Sequence, residues 1–217
     1  MRKFLLRLIV KIRLKSLSRG PVKSRGLVFF VSFLTVFFLY PFNDAGAIPE
    51  PLCSPLFSLV GYVERNSRPH QGFPDALRIG RAILSASRQS RLPLYILVAL
   101  AQEESSFNPL AINAASRDYG LFQIHYPFWK KYFAKRKGGS NRPIRRTDIM
   151  EVEVNAQMAA DILAYDLKLS GGDVVQMLGR YSGRTGLAHE NYIRNILRYS
   201  LSYKQFEMRR QDGCPGP

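Results

Sequence analysis

Cysteine is nearly absent: the 217 residues hold two, Cys53 and Cys214, and the three histidines, His70, His125 and His189, are scattered. No Cys/His spacing suits zinc, so no metal site is expected, and nothing in the chain calls for a cofactor. The two cysteines are either unpaired thiols or one disulfide across a very long loop. In an oxidising compartment such a bond stabilises by roughly 4–5 kcal/mol in the chain-entropy picture. A convincing period-2 strand is also missing, although one or two short strands fit between Ala111 and Ile124. The expected class is mainly α.

Acids are half as numerous as bases, 16 against 32, for a formal charge of +16. That excess does not mark a nucleic-acid binder, because Met1 to Ala47 holds nine of the bases and one acid. The remainder, with 23 bases and 15 acids, suits an anionic polymer or surface without naming it. Ala134 to Arg146 gathers Lys135, Arg136, Lys137, Arg142, Arg145 and Arg146 around a Gly-Gly-Ser centre, with no acid or aromatic residue. It reads as a solvated loop, or as a contact for anionic envelope polymer or lipid headgroups. Nucleic acid is disfavoured because stacking rings are missing.

No apolar run reaches the ~20 residues of a membrane-spanning helix. Leu27 to Phe42, "LVFFVSFLTVFFLYPF", is sixteen residues long and would span roughly 24 Å as a helix. It follows a basic stretch and precedes Ala45, Gly46 and Ala47, the pattern of a secretory signal cleaved after Ala47. The alternative is an uncleaved inner-membrane anchor. Either way the rest of the chain faces the periplasm. The expected organisation is this leader over 1–47, an irregular lead-in with four prolines over 48–71, a helical domain over 72–210 and a tail over 211–217.

Within the domain, helices are predicted over Pro74 to Ser87, and from Pro93 through "PLYILVALAQEE", a run apolar on nearly every face that belongs in the middle of a core. Asp148 and Glu151 have capping-box-like spacing ahead of a helix over Val152 to Leu169. Asp173 caps the next helix, and Glu190 to Phe206 forms a last one. "GLFQIHYPFWKKYF", Gly120 to Phe133, reads as short helix mixed with turn, its rings serving as core or as a ligand platform.

The buried run ends in Glu103 and Glu104. A carboxyl leaving a buried helix loses solvation, which raises its pKa and keeps it protonated near neutral pH. Such a group can protonate a glycosidic oxygen and, once ionised, act as a base. Helical phase does not choose between the neighbours, since both continue apolar rows, and both could instead face water at a helix end.

The residues that follow carry more. "ESSFNP" (Glu104 to Pro109), Ala111, Asn113, Ser116 and "GLFQI" (Gly120 to Ile124) resemble the lytic transglycosylases of the lysozyme superfamily, of the small secretion-associated kind. The likeness continues through Glu153, Asn155, Tyr181 in "RYSG" and Tyr192 in "NYIRNI", over about Pro93 to Leu197. It implies a lysozyme-like fold and cleavage of peptidoglycan between N-acetylmuramic acid and N-acetylglucosamine, without added water, to a 1,6-anhydro product. Its register puts the catalytic acid on Glu104 and leaves Glu103 at a variable surface position. Ser105, Gln123, Tyr181 and Tyr192 match positions that contact substrate or hold the acid.

Two departures keep alternatives open. "SRDYG" also resembles a segment of chicken-type lysozymes, where the aspartate is the second carboxylate of a retaining hydrolase, so Asp118 is a candidate nucleophile or charge stabiliser. The family's Ala-Tyr-Asn-Ala-Gly is shortened to "RYSG", which leaves Ser182 where an asparagine is usual. From another class, an export-machine component could keep the sugar cleft without turnover. The expected partners are peptidoglycan glycan strands and, by analogy with small single-domain family members, a secretion or pilus apparatus.

Overall fold

The computed structural model describes residues 54–134 and 144–211. The leader, the pairing of Cys53 with Cys214, the centre of the basic loop and the tail lie outside the described residues. Among those described there are eight helices and three two-residue strands. The helices are α1 (Pro55–Asn66), α2 (Phe73–Ser90), α3 (Leu94–Ser105), α4 (Tyr126–Ala134), α5 (Arg146–Ile149), α6 (Val152–Leu169), α7 (Val174–Ser182) and α8 (Gly186–Gln211). The strands β1 (Ile112–Asn113), β2 (Asp118–Tyr119) and β3 (Ile124–His125) lie between α3 and α4 and form an antiparallel sheet in the order β1-β2-β3.

Helix α3 is the centre, as its all-round apolar sequence requires: Ile96 to Ala101 are all buried. It packs chiefly against α8 and also against α2, while α2 rests on α6 and α1. Helix α6 occupies the residues predicted for it, and Asp173 caps α7 by accepting from Gln176 N at 3.0 Å.

Three expectations change. The lead-in is not irregular, because α1 fills most of it. Ser54 Oγ accepts from Phe57 N, Pro55 sits at the first turn where its missing N–H costs nothing, and Leu56, Leu59, Val60 and Val63 form a buried helical stripe. Proline count was the wrong signal; one of the four prolines starts the helix. The capping box is also displaced. Asp148 Oδ2 accepts from Arg145 N at 2.8 Å and so caps α5, while Glu151 and Glu153 grip Arg78 of α2 at 2.8–2.9 Å. The strands number three, not one or two.

Tyr62 of α1 is fully buried and donates to Gln102 Oε1 on α3 at 2.8 Å. Its ring meets Phe107, Tyr203 and Phe206 edge-on. Arg68 N, just beyond α1, donates to Ser106 O at 2.8 Å. The supposed lead-in therefore braces the end of α3, where the paired glutamates stand.

Candidate active site

Helix α3 stops abruptly after Ser105. Ser106 and Phe107 have φ of 51° and 61°, left-handed values that cost roughly 1–2 kcal/mol each for residues with a Cβ. Complete burial of the Phe107 ring offsets that cost, being worth a few kcal/mol on the scale of Phe truncations. Ser105 Oγ donates to Leu121 O at 2.6 Å, tying the helix end to the "GLFQI" turn. That turn is held from the other side by Asn155, fully buried on α6. Its Oδ1 accepts from Phe122 N at 2.8 Å, and its Nδ2 donates to Tyr119 O and Ile149 O at 2.9 Å. Gly120 has φ +78°, and a Cβ there would lie 2.5 Å from Asn155 Nδ2, so only glycine fits.

The sheet register lays three polar residues side by side: Asn113 is opposite Asp118, which is opposite His125. All three face a cleft of about 490 Å³. Glu104, Gln123, Tyr181 and Arg184 also line it, together with the rings of Phe128 and Trp129 from α4. The "PFWKKYF" rings thus divide: Phe128 is exposed at the cleft, while Trp129 and Phe133 pack partly against the core.

Glu104 is the recessed group of this cleft. Tyr192 Oη, on α8, donates to its Oε1 at 2.6 Å. Burial pushes the Glu104 carboxyl up to about 7, against the opposing pull of the Tyr192 hydrogen bond and the Arg184 charge. Burial also holds the Tyr181 and Tyr192 phenols well above their ordinary value, so both remain donors. A carboxyl that titrates near neutrality can give a proton and take one back under the same conditions.

Asp118 is placed differently. Ser116 Oγ donates to its Oδ2 at 2.5 Å, and His125 Nδ1 lies 2.8 Å from its Oδ1. Both oxygens are thus engaged by the cleft's own residues.

The sequence-predicted set is brought together, with its parts redistributed. Glu104, Asp118, Gln123 and Tyr181 line the cleft. Ser105 and Tyr192 do not; they hold the turn and the Glu104 carboxyl. Gln123 Nε2 donates to Gly120 O and Ala111 O, and Tyr181 Oη donates to Phe122 O at 2.8 Å, so both also brace the turn. Ser182 accepts from Arg184 N and donates to Gly179 O, closing the end of α7. Glu153 pairs with Arg78 on the surface.

The expected surface position of Glu103 is overturned. Its side chain is 11% exposed, with Arg184 Nη1 and Asn195 Nδ2 each 3.4 Å from its Oε1. The missed cleft residues are His125, Arg180 and Arg184. A hairpin register between "DY" and "IH" would have found the first, and the glycine turn of "YSGR" signalled the last.

A family profile described as Transglycosylase SLT domain matches residues 81–195, from within α2 to within α8. No curated protein matches the chain.

Proposed function

Since the chain belongs to the transglycosylase SLT family, whose members are peptidoglycan lytic transglycosylases, we propose that it cuts the bond from N-acetylmuramic acid to N-acetylglucosamine non-hydrolytically, leaving 1,6-anhydromuramyl ends. The observation that carries this reading is the placing of Glu104, recessed on the wall of a sugar-sized cleft with Tyr192 Oη donating to it, where burial raises its carboxyl to about 7.

In the first half of the reaction the protonated Glu104 gives its proton to the glycosidic oxygen as the bond to the anomeric carbon breaks. Tyr192 Oη, already donating to Glu104 Oε1, stabilises the carboxylate that remains. In the second half that carboxylate takes the proton of the muramyl C6 hydroxyl, whose oxygen bonds to the anomeric carbon and closes the anhydro ring. Glu104 ends as it began, and no water is consumed. The nucleophile is part of the substrate, so no second carboxylate has to form a glycosyl ester or activate water.

Mass spectrometry of digested peptidoglycan tests the proposal. Product ends one water lighter than hydrolytic ones are expected; reducing ends would instead make the protein a retaining hydrolase using Glu104 and Asp118.

We also propose that the protein is exported and works in the periplasm. The support is the basic stretch, the apolar Leu27 to Phe42 and the small residues Ala45 and Ala47 of the sequence. N-terminal sequencing of periplasmic protein should begin at Ile48; recovery only of full-length membrane-bound chain would make the segment an anchor. Local wall opening for a secretion or pilus apparatus is the proposed setting, and a deletion strain that assembles such machines normally would exclude it.

A further inference from the structure

At the helical wall of the cleft, Glu104 and the exposed Arg184 meet Glu103, which does not itself line the cleft. Arg184 follows Gly183, the left-handed residue that ends α7, and its side chain is 44% exposed. Its guanidinium carbon lies 4.7 Å from the centroid of the Tyr192 ring. The phenol of that same ring ends on Glu104, and the Arg184 charge is felt there. It is drawn instead to Glu103, whose Oε1 also receives the Asn195 amide from α8. The other arginine on this wall, Arg180, is likewise tied back, to the buried Asp166 at 3.3 Å.

We propose that Glu103 is a positioning residue: it tethers the Arg184 guanidinium over the Tyr192 ring and so keeps that cation off the neighbouring Glu104 carboxyl. An arginine paired directly with a carboxylate holds it ionised, and a general acid held ionised has no proton to give. The five groups facing Glu104 are Glu103 from its own helix, Asp118 from β2, Tyr181 from α7, Arg184 from the α7–α8 connection and Tyr192 from α8. Only Arg184 carries positive charge among them, and its exposed side chain can swing. Guanidinium over a ring face is a favourable resting place, and the Glu103 carboxylate fixes it there. The consequence is a sequence pair in which one glutamate reacts and the other guards it.

This inference rests on the reading of Glu104 as the acid. The test follows the Glu104 carboxyl carbon by NMR across pH in the wild-type protein, Glu103→Gln, Arg184→Gln and the double variant, beside the pH profile of wall cleavage. In the wild type Arg184 is held away, so Arg184→Gln raises the Glu104 midpoint slightly. In Glu103→Gln the freed cation reaches Glu104, and the midpoint falls by about one pH unit. The alkaline limb of activity falls with it. Adding Arg184→Gln to that background should then raise the midpoint several times further than it does in the wild type.

Equal effects of Arg184→Gln in the two backgrounds would mean that Glu103 acts only through its own charge, and the tether is overturned. An unmoved midpoint in Glu103→Gln overturns it as well. Should Glu103→Gln fail to fold, Glu103→Asp, with its shorter reach, is expected to give an intermediate fall, and no fall has the same meaning. The midpoints are read without turnover, so they stand apart from the acid assignment itself, which fails only if Glu104→Gln still cleaves wall.

Discussion

The two walls of the cleft are built from different material, and each presents one carboxyl. The helical wall comes from the ends of α3 and α7 and the α7–α8 connection, where Glu104 is backed by the buried residues of α3 and by one neutral donor from α8, Tyr192. The sheet wall consists of three two-residue strands with Ile112 to Ala115 exposed, and its carboxyl, Asp118, is bound by a hydroxyl and an imidazole. The same functional group is thus recessed against the core on one wall and tied into the sheet by hydrogen bonds on the other. Burial sets the helical wall apart, because the core behind Glu104 disfavours its charge.

Removing the reactive side of that contrast should have the largest effect. Glu104→Gln is expected to lower wall cleavage by about 10²–10⁴-fold or more with an unchanged circular dichroism spectrum. It should also stabilise the fold. A carboxyl whose midpoint rises from 4.5 to about 7 on folding destabilises the native state when ionised, by up to ~3 kcal/mol at pH 8. The cost is absent below about pH 4.5 and grows as pH rises to about 7, so wild-type stability should slope downward across that window. Denaturant titrations of Glu104→Gln should lack the slope.

The backing of both walls comes next. Asn155→Ala orphans Phe122 N, Tyr119 O and Ile149 O in the interior, for a loss of about 3 kcal/mol or more in urea unfolding. Cleavage should fall with it, because the turn it holds carries Gln123 and receives Ser105 and Tyr181. A loss within a few tenths of a kcal/mol would show that the turn is held by other contacts.

Asp118→Asn probes the sheet wall. We expect roughly tenfold lower activity, since a hydrogen-bonding amide keeps the frame but loses a negative charge near the developing glycosyl cation. The anhydro product should persist. A dead variant from a wild type that makes reducing ends would erase the contrast and make Asp118 the nucleophile.

The smallest effect is expected from Tyr192→Phe. The lost phenol removes a donor that favours the ionised acid, so the Glu104 midpoint and the alkaline limb of activity should both rise above about 7. An alkaline limb that moves down would mean that Tyr192 acts on the acid otherwise than by stabilising its anion.

Local chemistry was legible in the chain. Helices α2, α3, α6 and α7 follow from apolar spacing, from Pro93 and from Asp173 as a cap, all written within one or two turns of the sequence. The register of "ESSFNP" carries the expectation that Glu104 is the acid. What was misread involved residues whose partners are remote. Glu103 looked like a surface position because its partner Arg184 is 81 residues away, and the lead-in looked irregular because Tyr62 earns its burial against Gln102 and α8.

By itself, then, the sequence determined the helical class and the boundaries set by caps and breakers, and its motif register gave the expectation that Glu104 is the acid, because those depend on spacing along a helix or within a motif. Tertiary structure alone decided the rest. It set Tyr192 against Glu104 across 88 residues, turned Ser105 inward to Leu121, engaged both oxygens of Asp118 and gave Glu103 a cation to hold. A carboxyl's proton affinity is fixed by the solvent and charges within a few ångströms of it, and in this fold every such neighbour of Glu104 except Glu103 comes from β2, α7, α8 or the α7–α8 connection, which only packing brings to it.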